Sequence, residues 1–180
     1  MYFYAARQPI LDRNKALYAY ELLFRDGLSN VFPEIDGDEA TSRMIEGSQF
    51  SFGLDDFLGD KPGFINFTLE TLIKKYPSML PKEQVVVEIL ETVQPGKRLL
   101  AECKQLKEQG YTLALDDYIH QPVWRHFYPF IDIIKIDFRS TDIETIKSLF
   151  LTTRDDANQS PVSGTNDSGR TAIRNVQSRT

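Results

Sequence analysis

Six short apolar runs along this chain each carry, at or near one end, a polar residue suited to holding a metal or a phosphate. They are Gln8-Pro9-Ile10-Leu11-Asp12, Tyr18-Ala19-Tyr20-Glu21, Phe64-Ile65-Asn66, Val85-Val86-Val87-Glu88, Leu113-Ala114-Leu115-Asp116-Asp117 and Ile131-Asp132-Ile133-Ile134-Lys135-Ile136-Asp137. Short continuous apolar runs predict strands buried on both faces of a parallel sheet. The intervening segments have helical periodicity. From Lys97 to Gln109, the residues Leu99, Leu100, Cys103 and Leu106 share one face, and Gly110 follows where a helix ends in the left-handed conformation. Further helices are predicted from Asp38 to about Phe52 and from Leu69 to Lys75. Pro77 and Pro81 break the chain before the Val85 run. Ser140 or Thr141 can cap another helix, with Ile143, Ile146, Leu149 and Phe150 as its buried stripe.

From Asn66 onward the polar endings recur every 19 to 28 residues, the rhythm of βα units. A doubly wound sheet and a βα barrel both fit this rhythm. In either, the strand ends point to one side, so the polar endings converge. Glu21, Asn66, Glu88, Asp116 and Asp117 are hard oxygen donors, which suit Mg²⁺ or Mn²⁺ better than zinc. Adjacent carboxylates such as Asp116 and Asp117 can serve two ions, and such a pair can promote displacement at phosphorus. Lys135 would orient the attacking water or neutralise phosphate charge. Arg25, four residues after Glu21, offers a fork of donors for a phosphate oxygen. Plainer roles compete with each of these. Asp-Asp after a strand commonly starts a loop, Glu88 and Glu91 could be solvated, and Lys135 with Asp137 could form a surface pair. Recurrence at equivalent places favours a single carboxylate-rich rim.

Composition narrows the classes. The chain has 180 residues, 41% of them hydrophobic, enough for one domain with a core. A net charge of −5 argues against binding a nucleic-acid polymer. No apolar stretch approaches the roughly 20 residues that span a bilayer, and Met1 to Arg7 lacks a secretory apolar core, so a cytoplasmic protein without membrane contact is expected. Cys103 alone allows no internal disulfide and fits a helix core position. His120 and His126 have no ligand neighbours at metal-binding spacing. Trp124, Phe127, Tyr128 and Phe130 fit core packing, and Asp36, Asp38, Asp55 and Asp56 fit solvated loops.

All the aromatic residues (12 Phe, 8 Tyr and one Trp) lie at or before Phe150. No Lys or Glu occurs after it either. Residues 151–180 cannot bury enough apolar surface to offset ordering and are expected to be disordered. A natural tail would show this, as would loss of the coding frame or truncation near residue 150, the reading favoured here.

Taken together, the motifs resemble the EAL domain, a bacterial cyclic di-GMP phosphodiesterase or receptor module, over residues 1 to about 150. Gln8-Pro9-Ile10 is similar to the family's opening Gln-Pro-Ile. Glu21-Leu22-Leu23-Phe24-Arg25 stands for Glu-Ala-Leu-x-Arg, and Ile65-Asn66-Phe67-Thr68 for the Asn-x-Ser/Thr strand. Glu88-Ile89-Leu90-Glu91 resembles Glu-x-x-Glu, Leu115-Asp116-Asp117-Tyr118 resembles Asp-Asp-Phe, and Lys135-Ile136-Asp137 resembles Lys-x-Asp. The segments 6–12 and 20–27 most resemble the subgroup in which EAL precedes an HDOD domain. The resemblance implies an α/β fold: an incomplete EAL-type (β/α)8 TIM-like barrel of about six strands, the first antiparallel, followed by a disordered C-terminal tail. It implies metal ligands at Glu21, Asn66, Glu88, Asp116 and Asp117, dinucleotide contacts at Gln8 and Arg25, and catalytic roles for Lys135 and Glu91.

Two departures shape the functional expectation. Active members continue Asp-Asp-Phe with Gly-Thr-Gly, where this chain has Ile119-His120-Gln121-Pro122-Val123. The family's later Glu and Gln-Gly are absent, since no Glu follows Glu144 and neither Gln159 nor Gln177 precedes Gly. The expectation is therefore a degenerate, truncated EAL-domain protein of cyclic di-GMP signalling with little or no phosphodiesterase activity. The alternatives are a silent cyclic di-GMP-binding or protein-interaction scaffold, self-associating or with a protein partner, and an active metal-dependent phosphodiesterase.

Overall fold

The computed structural model describes residues 4–25, 54, 56–119, 121–137, 141, 144–145 and 172–175. All six apolar runs form strands: β1 (Tyr4–Leu11), β2 (Leu17–Arg25), β3 (Gly63–Phe67), β4 (Val85–Ile89), β5 (Thr112–Leu115) and β6 (Ile133–Ile136). Strand β1 pairs antiparallel with β2 through a tight turn. There Asp12 Oδ1 accepts from the Asn14 and Ala16 amides at 2.8 and 2.9 Å. From β2 to β6 every neighbouring pair is parallel, and the spatial order follows the chain order. A doubly wound sheet must reverse its strand order at a switch point, and this one does not. Winding in one direction is the barrel arrangement. The sheet is thus part of a TIM-like barrel with its first strand antiparallel.

A seventh strand, β7 (Ala172–Asn175), pairs antiparallel with β6. It falls in the segment expected from composition to be disordered. Its pairing satisfies backbone groups of β6, and ladder bonds of this kind require no particular side chains. The other residues of 151–180 lie outside the described residues.

Helices cover the outer face of the sheet. Helix α1 (Leu69–Ile73) is capped by Thr68, whose side chain accepts from the Thr71 amide at 3.2 Å. Helix α2 (Lys97–Gln109) buries Leu99, Cys103 and Leu106 of the predicted stripe, leaves Leu100 partly buried against the core, and ends at Gly110 with φ +92°. Only glycine adopts that conformation without strain. Gly63 opens β3 where a Cβ would come within 2.9 Å of Leu58, so the helical residues 56–58 can lie close against the sheet. The predicted helix from Asp38 to Phe52 lies outside the described residues, as does most of the one after Thr141, of which residues 144–145 are helical. Trp124, Phe127 and Tyr128 are buried in the outer core and Phe130 packs against it, as their pattern suggested.

Candidate functional site

Strand alternation sorts the residues into two faces. Leu22, Ile65, Phe67, Val87, Ile89, Leu113, Leu115, Ile134 and Ile136 belong to the outer core beneath the helices. A separate buried cluster, Ile10, Ala19, Phe64, Val86, Ala114 and Ile133, occupies the inner face. Two residues further along each parallel strand, or just past its end, that inner face changes character. Ala19 gives way to Glu21, Phe64 to Asn66, Val86 to Glu88, Ala114 to Asp116 and Ile133 to Lys135. On the antiparallel β1 the order runs backwards, and Gln8 lies directly opposite Glu21 while Ile10 lies opposite Ala19. The inner face is therefore an apolar floor carrying a polar layer at the C-terminal strand ends, where barrel enzymes place their chemistry.

Lys135 is the hub of that layer. Its Nζ lies 2.5 Å from Glu88 Oε1, 2.8 Å from Asp116 Oδ1 and 3.7 Å from Glu21 Oε2. Lys135 is buried, and Glu88 is fully buried. Burial works against the Lys135 charge, but Glu88, Asp116 and Glu21 together outweigh it and hold the ammonium above the ordinary lysine range. Burial pushes Glu88 up to about 8, with Lys135 pulling down and Asp116 and Glu21 pushing further up. Three carboxyl groups thus share one ammonium. Asn66, register partner of Glu88, is also buried. Its Oδ1 and the Oε2 of Glu88 have no hydrogen-bond donor among the described residues.

Asp117 sits one step outside this cluster, half-buried, at φ +35°. Burial raises its carboxyl, and Asp116, Asp137 and Glu91 raise it further against the pull of Lys135. Glu91 is exposed, just beyond β4. Lys135 and Asp137 do not form the ordinary surface pair considered from sequence, because Lys135 points into the carboxylates. Arg25 ends β2 opposite Tyr4, and its side chain lies outside the described residues.

The oxygen donors are of the right chemistry for a hard divalent cation, and the two orphaned buried acceptors would be satisfied by one. Among the described residues, however, no group of three His, Cys, Asp or Glu is arranged to hold a metal ion by itself. The reason is visible in the geometry: the Lys135 ammonium stands between Glu88 and Asp116.

Three local features escaped the sequence pattern. Tyr118 and Tyr128 are buried with their hydroxyls 2.6 Å apart. The Arg7 guanidinium lies over the Tyr20 and Phe57 rings, 4.6 and 5.4 Å from their centroids. A cleft beside the polar layer is lined by Leu90, Val93, Tyr118, Ile119 and Trp124, together with Glu91 and Asp116. Each joins residues through contacts that carry no periodicity, across ten residues for the tyrosine pair and across longer stretches for the other two. The aromatic pairing alone had a faint trace, in the density of rings from Tyr118 to Phe130.

No protein-family model matches the sequence. The cyclic di-GMP phosphodiesterase CdgJ of Vibrio cholerae is 45% identical over 142 residues, which are 78% of this chain and 33% of CdgJ. The chain spans about a third of the length of the curated relatives it matches. Among solved structures, BlrP1 of Klebsiella pneumoniae in a manganese and cyclic di-GMP complex superposes with a TM-score of 0.61 at 23% identity. That match covers 85% of this chain and 47% of BlrP1. The EAL enzyme Bd1971, with cAMP and cyclic di-GMP bound, superposes with a TM-score of 0.56 at 18% identity, over 85% of this chain and 52% of Bd1971. With the antiparallel first strand, the unidirectional winding and the polar layer in its motif order, these likenesses identify what the chain carries: an EAL-like domain.

Proposed function

We propose that this domain binds cyclic di-GMP at the C-terminal mouth of its sheet, in cytoplasmic signalling, and that the chain hydrolyses it slowly or not at all. The polar layer is the observation that carries this reading. Glu21, Asn66, Glu88, Asp116 and Asp117 would hold Mg²⁺ or Mn²⁺. A bound divalent ion would supply positive charge to a phosphate oxygen and make a bound water more acidic. Lys135, kept protonated, neutralises carboxylate and phosphate charge at the same point. Gln8, facing Glu21 across the β1–β2 ladder, and Arg25, at the end of β2, would contact the dinucleotide. Glu91 adds negative potential at Asp117, where a cation would relieve it.

The weak-hydrolysis part rests on the segment after Asp117. Ile119, 70% exposed, stands where active members begin Gly-Thr-Gly, and Val123, two residues past that stretch, is 38% exposed. Large exposed apolar groups beside a phosphate site supply no backbone cradle for an anion. A second reading, a working phosphodiesterase, is favoured by the gathering of Glu21, Glu88 and Asp116 around a protonated Lys135. The test is the purified full chain with cyclic di-GMP in Mg²⁺ or Mn²⁺. Saturable, metal-dependent binding without linear dinucleotide is the expected result, and Glu88→Ala should abolish it while the protein stays folded. Sustained linear product would establish the second reading. Absence of any saturable binding would overturn both.

A further inference from the structure

The segment Asp116-Asp117-Tyr118 bridges three strands. The Asp116 amide donates to the Ile89 carbonyl at the end of β4, and the Tyr118 amide donates to the Lys135 carbonyl in β6, both at 2.9 Å. Between these two bonds Asp117 adopts a left-handed φ of +35°. A non-glycine residue there costs on the order of 1 kcal/mol and persists only when its surroundings over-determine it. Of the described residues from 116 to 121, Tyr118 is the buried one, at 3% exposure, whereas Ile119 and Gln121 are exposed. Its hydroxyl meets that of Tyr128 at 2.6 Å, and its ring meets Trp124 edge-on with centroids 6.2 Å apart. The family motif has Phe at this position, so the hydroxyl pair is no part of that motif.

We propose that Tyr118 and Tyr128 are positioning residues: their buried hydroxyl pair pins the strained turn that presents the Asp116 and Asp117 carboxylates, in place of the missing Gly-Thr-Gly support. Neither tyrosine touches a ligand in this account. The pin raises the fraction of molecules whose carboxylates are in place, and apparent affinity scales with that fraction. The part that concerns cation affinity rests on the proposed binding function, whereas the ordering of the turn does not.

The test compares the full chain with Tyr128→Phe and with the double variant Tyr118→Phe/Tyr128→Phe. Without metal, amide hydrogen exchange at residues 116–119 should rise about five-fold in Tyr128→Phe, the equivalent of one net hydrogen bond. Exchange in β3 should stay unchanged. Mn²⁺ affinity, followed by emission of Trp124, the one tryptophan of the chain, should weaken by a similar factor. The double variant should show a rise and a loss at least as large, because it removes the pair altogether, including the Tyr118 hydroxyl that also bonds the Gln121 backbone. Unchanged exchange at 116–119, or an equal rise throughout the sheet, overturns the proposal. A local rise with unaltered Mn²⁺ affinity also overturns it, reducing the pair to packing. If the parent chain binds no Mn²⁺, the binding function fails by itself, and the exchange comparison still decides whether the pin orders the turn.

Discussion

The two faces of one sheet solve different problems with the same strands. On the outer face, Ile65, Phe67, Val87, Ile89, Leu113 and Leu115 are apolar from one end of each strand to the other and pack under α1 and α2. On the inner face, apolar residues stop at Phe64, Val86, Ala114 and Ile133. Acid, amide and ammonium groups take over one step further on. Outer-face energetics come from area removed from water, which is additive and tolerant of chemistry. Inner-face energetics come from a charge balance, in which each group is acceptable only because the others are present. Folding and function are therefore separable along β3 and β4 residue by residue, since neighbouring side chains point to opposite faces.

Truncating the outer face should have the largest effect. Phe67 is fully buried beneath the helices, and Phe67→Ala should cost about 3–5 kcal/mol, measured as a lower urea midpoint. Removing the hub of the inner face comes next. Lys135→Met leaves Glu21, Glu88 and Asp116 without their ammonium. A broken buried ion pair costs about 3–5 kcal/mol, and the low end applies here because Glu88, pushed up to about 8, already holds a proton over much of the range below that and is not left as a bare charge. Mn²⁺ should raise the melting temperature of Lys135→Met by more than that of the parent, and that of Phe67→Ala by no more than that of the parent. Equal gains in both variants would dissolve the distinction between the faces.

Much of this division was legible beforehand. All six strands, the stripe of α2 and the residues of the polar layer follow from two local rules, apolar run length and the polar residue that ends it. Choosing between a barrel and a doubly wound sheet needed strand order, which the residues leave open without the family resemblance. The hub role of Lys135 was obscured because a Lys two residues before an Asp has the signature of a surface pair, and only burial shows otherwise. The β6–β7 pairing could not be anticipated, since it is made by backbone groups in a segment whose side chains argue for disorder. Tyr118 with Tyr128, and Arg7 with Phe57, arise where separate segments meet, and no periodicity encodes them.

The smallest expected effect is also the most diagnostic of the inner face. Glu88 is raised from 4.5 to about 8 by burial, so the folded chain holds a proton there that the unfolded chain releases near pH 4.5. Across that interval the native state binds more protons than the unfolded state, and stability must fall as pH rises. The sign is opposite to that of an ion-paired surface carboxylate, whose contribution is lost on acidification. Glu88→Gln cannot titrate, keeps the shape and offers an amide N–H donor in place of the protonated carboxyl. Its melting temperature near pH 5 should be close to that of the parent, and the difference should grow in favour of the variant as pH approaches 8. Mn²⁺ should reverse that order at high pH, because a cation favours the ionised Glu88 and has less purchase on an amide. Parallel pH profiles for the two proteins would mean that Glu88 is ionised throughout, with Lys135 close enough to offset burial completely. The inner face would then be a closed structural salt cluster rather than a site waiting on a cation.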